Sequence, residues 1–437
     1  RQQRVLLILG WLYIAIGLRI GKGVLAEGVG EGTFEATRLI RTFAAIGVAL
    51  ASWGLITILK RRQKLLGTIN LLLATLLVVC PLLGELFFRI GIAFNISGFR
   101  NPGLYADAHT DDDYWKLQHL WWNTEKRLPS RVGAADPLLG WAPPRTASNP
   151  LGVYTDVPYT FDPQDPVILF YGDSFVQGAT APSANVPQQL DRLSPDYTVY
   201  NYGVNGYGID QMLLRFKKTH AIFTRPRIFF GLLTSDLDRA VLTIRIGVKP
   251  YFILSDGMLK LQGVPIQQDL SRWIRQHPVK IRSYFVSFAT QWVRNVSSGG
   301  YGFESGYQRA EKERINTKII QATVAEARAN GLPLVFVIFY TEGELYFTGW
   351  REQFLKEVFA RLNVPYLDTK EVLLDAVRRA GVSTATYYIS KSISVKDGHL
   401  NEQGNQLTAE AIAEYLRQQS LGTPEAASRS AGVAGQP

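Results

Sequence analysis

A chain of 437 residues is long enough for two or three structural units, and its formal charge of +10 sets 47 basic residues against 37 acidic ones. The single cysteine, Cys80, lies inside an apolar run, which excludes a disulfide framework and a cysteine-built zinc site. Many basic residues flank apolar segments instead of clustering on a globular stretch, which argues for membrane topology over nucleic acid.

Three apolar segments come first. Val5–Leu18 ends at Arg19, which must snorkel if the segment spans; its rival is a signal-peptide core, and no small-residue cleavage site supports that. Thr42–Leu59 and Leu65–Gly84 carry no charge and have about the length a spanning helix needs. Lys60, Arg61, Arg62 and Lys64 crowd the loop between them, and Arg1 and Arg4 precede the first segment. The positive-inside bias predicts a cytoplasmic 60–64 loop and an outer location for everything after Gly84. The expectation is a multi-pass integral protein of a bacterial inner or cell membrane, with a transmembrane region over 1–92 and a periplasmic or extracellular remainder.

Residues 93–150 read as connector and lead-in. Asp111–Trp122 predicts a helix with acidic residues in its first turn. Its Tyr114, Trp115, Trp121 and Trp122 suit lipid headgroups, sugar rings or simple packing against the domain. Asp136–Pro144 is punctuated by proline and glycine.

From 151 to 418 apolar runs alternate with helical patterns. Val167–Phe170, Tyr197–Val204, Arg227–Asp236, Leu332–Tyr340 and Val364–Thr369 predict strands. A helix-like stretch runs from Ser174 to Leu193, and others cover 210–219, 311–330, 351–362, 370–380 and 403–418. This alternation predicts an α/β fold, a doubly wound parallel sheet of about five strands covered on both faces. An insertion at 239–306 contains a hairpin turning at Asp256-Gly257 and the amphipathic stretch Ser283–Asn295; a lid and a packing elaboration both fit it. Residues 419–437 are small and polar, and a disordered tail is expected.

The first strand leads into Tyr171–Gly178, with sequence YGDSFVQG. Open α/β sheets bind ligands at such strand ends, which makes Ser174 a candidate nucleophile; an N-cap serine is the plain alternative. A serine nucleophile needs a base. Of His109, His119, His220, His277 and His399, only His399 sits in a polar, turn-rich context after the fifth strand, with Asp397 two residues before it.

These motifs resemble the SGNH/GDSL-type hydrolases from about Asp136 to Gln418. GDSF matches the nucleophile motif at Ser174, NYGVNGYG the motif whose glycine donates an oxyanion N–H, here Gly206, and GLLTSD the third motif. DGHLN matches the last, making His399 the base and Asp397 its partner. The resemblance implies a flavodoxin-like fold and a Ser174–His399–Asp397 triad, with Ser174, Gly206 and Ser235 at the oxyanion hole. Ser235 stands where the family has asparagine, and the Asp-x-His spacing resembles the members that acetylate exported polysaccharides. The implied activity is a membrane-anchored serine esterase or O-acyltransferase acting on O-acyl, above all acetyl, esters of cell-surface or exported glycans. No cofactor, metal or nucleic acid is implied. Expected partners are the ester substrate, the bilayer and membrane acyl-transfer or polysaccharide-export proteins. A lipid or thioester hydrolase and a non-catalytic glycan-binding domain are the rivals.

Overall fold

The computed structural model describes residues 52–60, 64–122, 133–155, 159–297, 309–392 and 395–421, with scattered residues among the first fifteen. Five parallel strands lie at its centre: β1 (Val167–Gly172), β2 (Thr198–Gly203), β3 (Arg227–Leu233), β4 (Leu334–Phe339) and β5 (Tyr366–Asp368). Their spatial order is β2-β1-β3-β4-β5. The chain moves outward from β1 to β2 and returns to the other side of β1 at β3, so strand order reverses between β1 and β3. In such sheets the crevice outside the carboxyl ends at this reversal is where ligands bind.

Both faces of the sheet are covered, and the strands are correspondingly apolar throughout. Every residue of β1 and of β4 is buried. Helices 209–219, 309–329 and 350–362 neighbour one another, as do helices 186–193, 369–380 and 402–421, giving one layer for each face. The core is rich in aromatics. Tyr171 stacks on Tyr202 at 5.1 Å and on Phe230 at 5.3 Å, and its hydroxyl meets Thr219 Oγ1 at 2.7 Å.

The turn after β3 and the insertion that follows it are tied to this core by ion pairs around buried carboxylates. Lys312 Nζ donates to Asp238 Oδ1 and Arg351 Nε to Asp238 Oδ2, both at 2.7 Å. Lys249 Nζ donates to Asp210, to Leu242 O at 3.0 Å and to Pro250 O at 2.9 Å. The hairpin pairs Tyr251–Ser255 with Met258–Gln262, and both turn residues, Asp256 and Gly257, have positive φ (53° and 73°), the signature of a type I′ turn.

Three expectations change. The stretch from Ser174 to Leu193 is not one helix: Ser174–Gln177 forms a single turn, and a second helix begins at Val186. Gly178 at φ 94° and Pro182 break it between. The segment holding Asp397 and His399 is not a loop; Val395–Leu400 is a strand paired antiparallel with Tyr388–Ser392. The lead-in 136–144 is a built element, in which Ala134–Asp136 pairs with Gly140–Ala142 and Trp141 is buried, its Nε1 donating to Asn205 O at 3.0 Å.

The chain divides into two compact units, one comprising residues to Arg100 with Arg282–Thr290, the other Asn101–Ile281 with Gln291 onward. In the first, a continuous helix runs from Lys64 to Ala93 through a π-helical segment at Thr75–Val79. Its 27 residues from Gly67 to Ala93 are long and apolar enough to cross a membrane, spanning about 40 Å at 1.5 Å per residue. Asn70 Oδ1 accepts from Trp53 Nε1 and Thr57 Oγ1, each at 3.2 Å, which joins this helix to the turns at 52–59. Most of Val5–Leu18 and of Thr42–Leu59 lies outside the described residues. The expected two or three spans are thus represented, among the described residues, by one candidate helix. Part of the insertion packs on its end: Phe288 meets Phe88 at 4.9 Å, and Glu85 Oε2 accepts from Ser283 Oγ at 2.7 Å.

Candidate active site

The turn after β1 is held by three glycines in register. Gly172 pairs with Gly203 of β2 and Gly231 of β3 at the sheet's carboxyl edge. A Cβ on Gly203 would lie 2.3 Å from Gln177 N, and one on Gly231 2.4 Å from Val176 Cγ2. The missing side chains let Ser174–Gln177 lie directly against three strand ends. Asp173 caps this turn, its Oδ1 accepting from Phe175 N at 2.8 Å. The cap role therefore belongs to Asp173 and not to Ser174, which is the first helical residue.

Ser174 Oγ lies 2.8 Å from His399 Nε2. The contact joins residues 225 positions apart and lies within the range a nucleophile–base pair requires. Phe175 stacks on the His399 ring at 4.8 Å with an interplanar angle of 29°, which orients the imidazole. Asp397 lies two residues before His399 on the same strand; its side chain falls outside the described part. Among the described hydrogen bonds, none of the other histidines meets a serine hydroxyl. His119 Nε2 lies 3.0 Å from Arg245 O, His220 Nε2 3.1 Å from Glu326, and His277 stacks on Trp273. His109 precedes the Asp112–Trp122 helix, where burial pulls its pKa down and Asp238, Arg239 and Arg245 are within electrostatic reach.

The other oxyanion candidates follow β2 and β3. Asn205 N–H donates to Gln177 Oε1 at 2.5 Å, and Asn201 Nδ2 to Val176 O at 3.0 Å, so the post-β2 turn is tied to the turn carrying Ser174. Gly206 adopts φ 83°, and a Cβ there would lie 2.4 Å from Ile246 Cδ1. Among the described hydrogen bonds, neither the Ser174 nor the Gly206 N–H donates to a protein acceptor. A helix first turn leaves the Ser174 donor free, and Gly206 lies in the turn before the 209–219 helix. Ser235 is half-buried at the end of β3, its carbonyl accepting from Asp238 and Arg239 N–H groups. Beside it Thr234 Oγ1 donates to Glu344, whose other oxygen accepts from Thr341 N at 2.8 Å.

Beneath these turns is a charge cluster that motif reading missed. Arg239 donates through one nitrogen to Asp173 Oδ2 at 2.5 Å, to Asp236 and to Tyr207 O at 3.3 Å, joining the turns after β1, β2 and β3. Burial and the neighbouring Asp173 push the Asp236 carboxyl well above its ordinary pKa, against the pull of Arg239. The one available signal was the Asp236–Arg239 spacing, which places the two on adjacent positions of a helical turn. Among the described residues, no cluster of three His, Cys, Asp or Glu side chains suits a metal ion.

No protein-family model matches the sequence, and no curated protein matches it. Solved structures similar in fold include a two-domain esterase active on acetylated mannans, at 11% identity and TM-score 0.33 over 58% of this chain and 50% of that one. A lipolytic protein of the G-D-S-L family from Veillonella parvula shows 13% identity and TM-score 0.32 over 57% and 96%. A catalytic mutant of an acetylxylan esterase from Geobacillus stearothermophilus shows 13% identity and TM-score 0.30 over 57% and 94%. This chain therefore spans half the length of the mannan esterase. Likeness at this level assigns no activity, and the functional reading rests on the geometry of the site.

Proposed function

We propose that this protein is a membrane-anchored serine esterase or O-acyltransferase acting on O-acyl, above all acetyl, esters of cell-surface or exported glycans. The observation that carries the reading is the 2.8 Å contact between Ser174 Oγ and His399 Nε2 at the strand-order reversal. In the proposed reaction His399 Nε2 takes the hydroxyl proton as Ser174 Oγ attacks the ester carbonyl. The developing oxyanion is received by the N–H groups of Ser174 and Gly206 and by the Ser235 hydroxyl. His399 then protonates the leaving alcohol, and water or an acceptor hydroxyl releases the acyl group from Ser174. Asp397 orients the imidazole. The Asp-x-His spacing resembles that of the members that acetylate exported polysaccharides, and this resemblance is what supports transfer beside hydrolysis.

The test is the full chain in detergent with a short-chain aryl ester and a serine-reactive phosphonate. Ester turnover and labelling confined to Ser174 are expected; a folded protein that does neither is a non-catalytic binding domain. Anchoring rests on the Gly67–Ala93 helix and the basic residues before it. Alkaline phosphatase fused after residue 150 should be active and after residue 64 inactive; the reverse pattern overturns the orientation.

A further inference from the structure

The segment between the third strand and the hairpin is fixed from several sides. Thr243 N and Oγ1 donate to the two Asp112 oxygens at 2.9 and 2.7 Å, and Lys249 N donates to Thr243 O at 3.1 Å. Ile244 bridges Val248, and Arg245 N donates to Gly247 O at 2.9 Å. Ile246 occupies the space a Gly206 side chain would need. The turn so held brings Ile246 and Arg245 against Gly206, and Arg245 is the charged one of the two. Arg245 lies over the Trp115 ring at 5.3 Å, and its Nη1 donates to Gly206 O at 3.3 Å. One residue's backbone spans at most about 3.6 Å, so the guanidinium is within about 7 Å of the Gly206 N–H.

The charge of Arg245 is not directly paired. Arg239, Lys249 and Lys312 each touch a carboxylate, whereas Arg245 makes no ion pair among the described residues, and its buried Nε has no acceptor. Burial, and then the Arg239 cation, pull its pKa down to about 9, opposed by Asp236 and Asp173 at longer range. A guanidinium in cation–π contact with an indole, held by a braced turn and without a carboxylate partner among the described residues, is preorganised for a planar anion. Trp115 and the Asp112–Trp122 helix, read from the sequence as a lipid anchor, a sugar platform or packing, thereby acquire a place beside the site.

We propose that Arg245 binds a carboxylate carried by the substrate a few bonds from the scissile ester carbonyl. This rests on the ester reading above and narrows its substrate to anionic esters. The carboxylate belongs either to the acyl group, as in a dicarboxylic half-ester, or to the alcohol, as in an acylated uronate. Binding separates the proposal from catalysis. In the full chain carrying Ser174→Ala, calorimetric titration compares phenyl hemisuccinate with phenyl butyrate, and the methyl glycoside of 2-O-acetylglucuronic acid with that of 2-O-acetylglucose. One anionic probe of the two should bind at least tenfold tighter than its neutral counterpart, and which one does identifies the source.

Adding Arg245→Gln should abolish that preference, and Arg245→Lys should restore part of it, since charge returns without the fork. Equal binding of anionic and neutral probes to the parent overturns the proposal. So does an equal loss for both in a folded Arg245→Gln protein, which would reduce Arg245 to a prop for Gly206. If Arg245→Gln fails to fold, the parent's preference and its fall in Arg245→Lys decide. A carboxylate preference without any ester turnover by the Ser174 protein would leave the subsite standing and remove the ester reading alone.

Discussion

Arg239→Met tests how the turn carrying Ser174 is held. The substitution keeps an unbranched side chain but removes the cation shared by Asp173 and Asp236, both fully buried. Each carboxylate keeps a backbone donor, Phe175 N–H at 2.8 Å for Asp173 and Leu233 N–H at 2.9 Å for Asp236. Breaking a buried pair by removing one partner costs about 3–5 kcal/mol. For a folded unit of about 300 residues the unfolding entropy is about 0.6 kcal/mol per degree, so the melting temperature should fall by about 5–8 °C at pH 8. The penalty should depend on pH, with a definite sign. Asp236 already has a raised folded-state pKa, which loss of the cation raises further. A raised carboxyl pKa means tighter proton binding in the folded state, so its stabilising effect is complete below the unfolded value near 4 and is lost as pH rises. The deficit of Arg239→Met should therefore shrink from pH 8 toward pH 5. Thermal melts of both proteins across that range measure it. A deficit below about 1 kcal/mol, or one that does not change with pH, would refute the bridging role of Arg239.

Four further outcomes are expected. Ser174→Ala and His399→Ala should each remove most ester turnover, the double variant being little worse than either and Asp397→Ala costing less; additive losses measured by initial rates would mean the residues do not act as a unit. Because Asp173 holds the cap, Ser174→Ala should leave the melting temperature nearly unchanged, and a clear fall would return the cap role to Ser174. Ser235→Ala should lower kcat roughly tenfold, less than the hundred- to thousandfold loss of a fixed amide donor, and Ser235→Asn should keep or raise it; an unaltered kcat in Ser235→Ala leaves only the two backbone donors. Gly203→Ala places its Cβ 2.3 Å from the Gln177 backbone nitrogen, which cannot rotate away. It should cost about 1–3 kcal/mol by denaturant titration and displace the Ser174 turn with loss of turnover, and a fully active, fully stable variant would contradict the close approach.

The local periodicities were enough to read the α/β class. Val167–Phe170 and Leu332–Tyr340 are unbroken apolar runs because strands buried on both faces tolerate nothing else, and both appear in the sheet. Asp256-Gly257 was legible as a hairpin turn because a type I′ turn needs two positive φ angles, which few dipeptides accept. Gly-Asp-Ser and Asp-Gly-His-Leu-Asn were legible as motifs, since their chemistry depends on residues adjacent in the chain. Long-range position was not legible. The segment around His399 reads as a loop because Asp397, Gly398 and Asn401 are turn formers, yet pairing with Tyr388–Ser392 makes it a strand.

The sequence by itself therefore determined the alternation of elements, the candidate serine and histidine, and the apolar helix near the start of the chain, all properties of neighbouring residues. Only the tertiary structure decided that Asp173 caps the turn in place of Ser174, that Phe175 backs His399, and that Arg239 joins three strand ends. It also decided that three glycines from three strands open the space in which Ser174 sits. The Asp173 cap is a local contact that the sequence left open between two candidates; the others depend on strand order and register, which bring residues 28 to 225 positions apart into contact. Side-chain spacing along one segment carries no record of its neighbours' register. A cation beneath a catalytic turn and a cation on the surface look alike until the sheet closes over one of them.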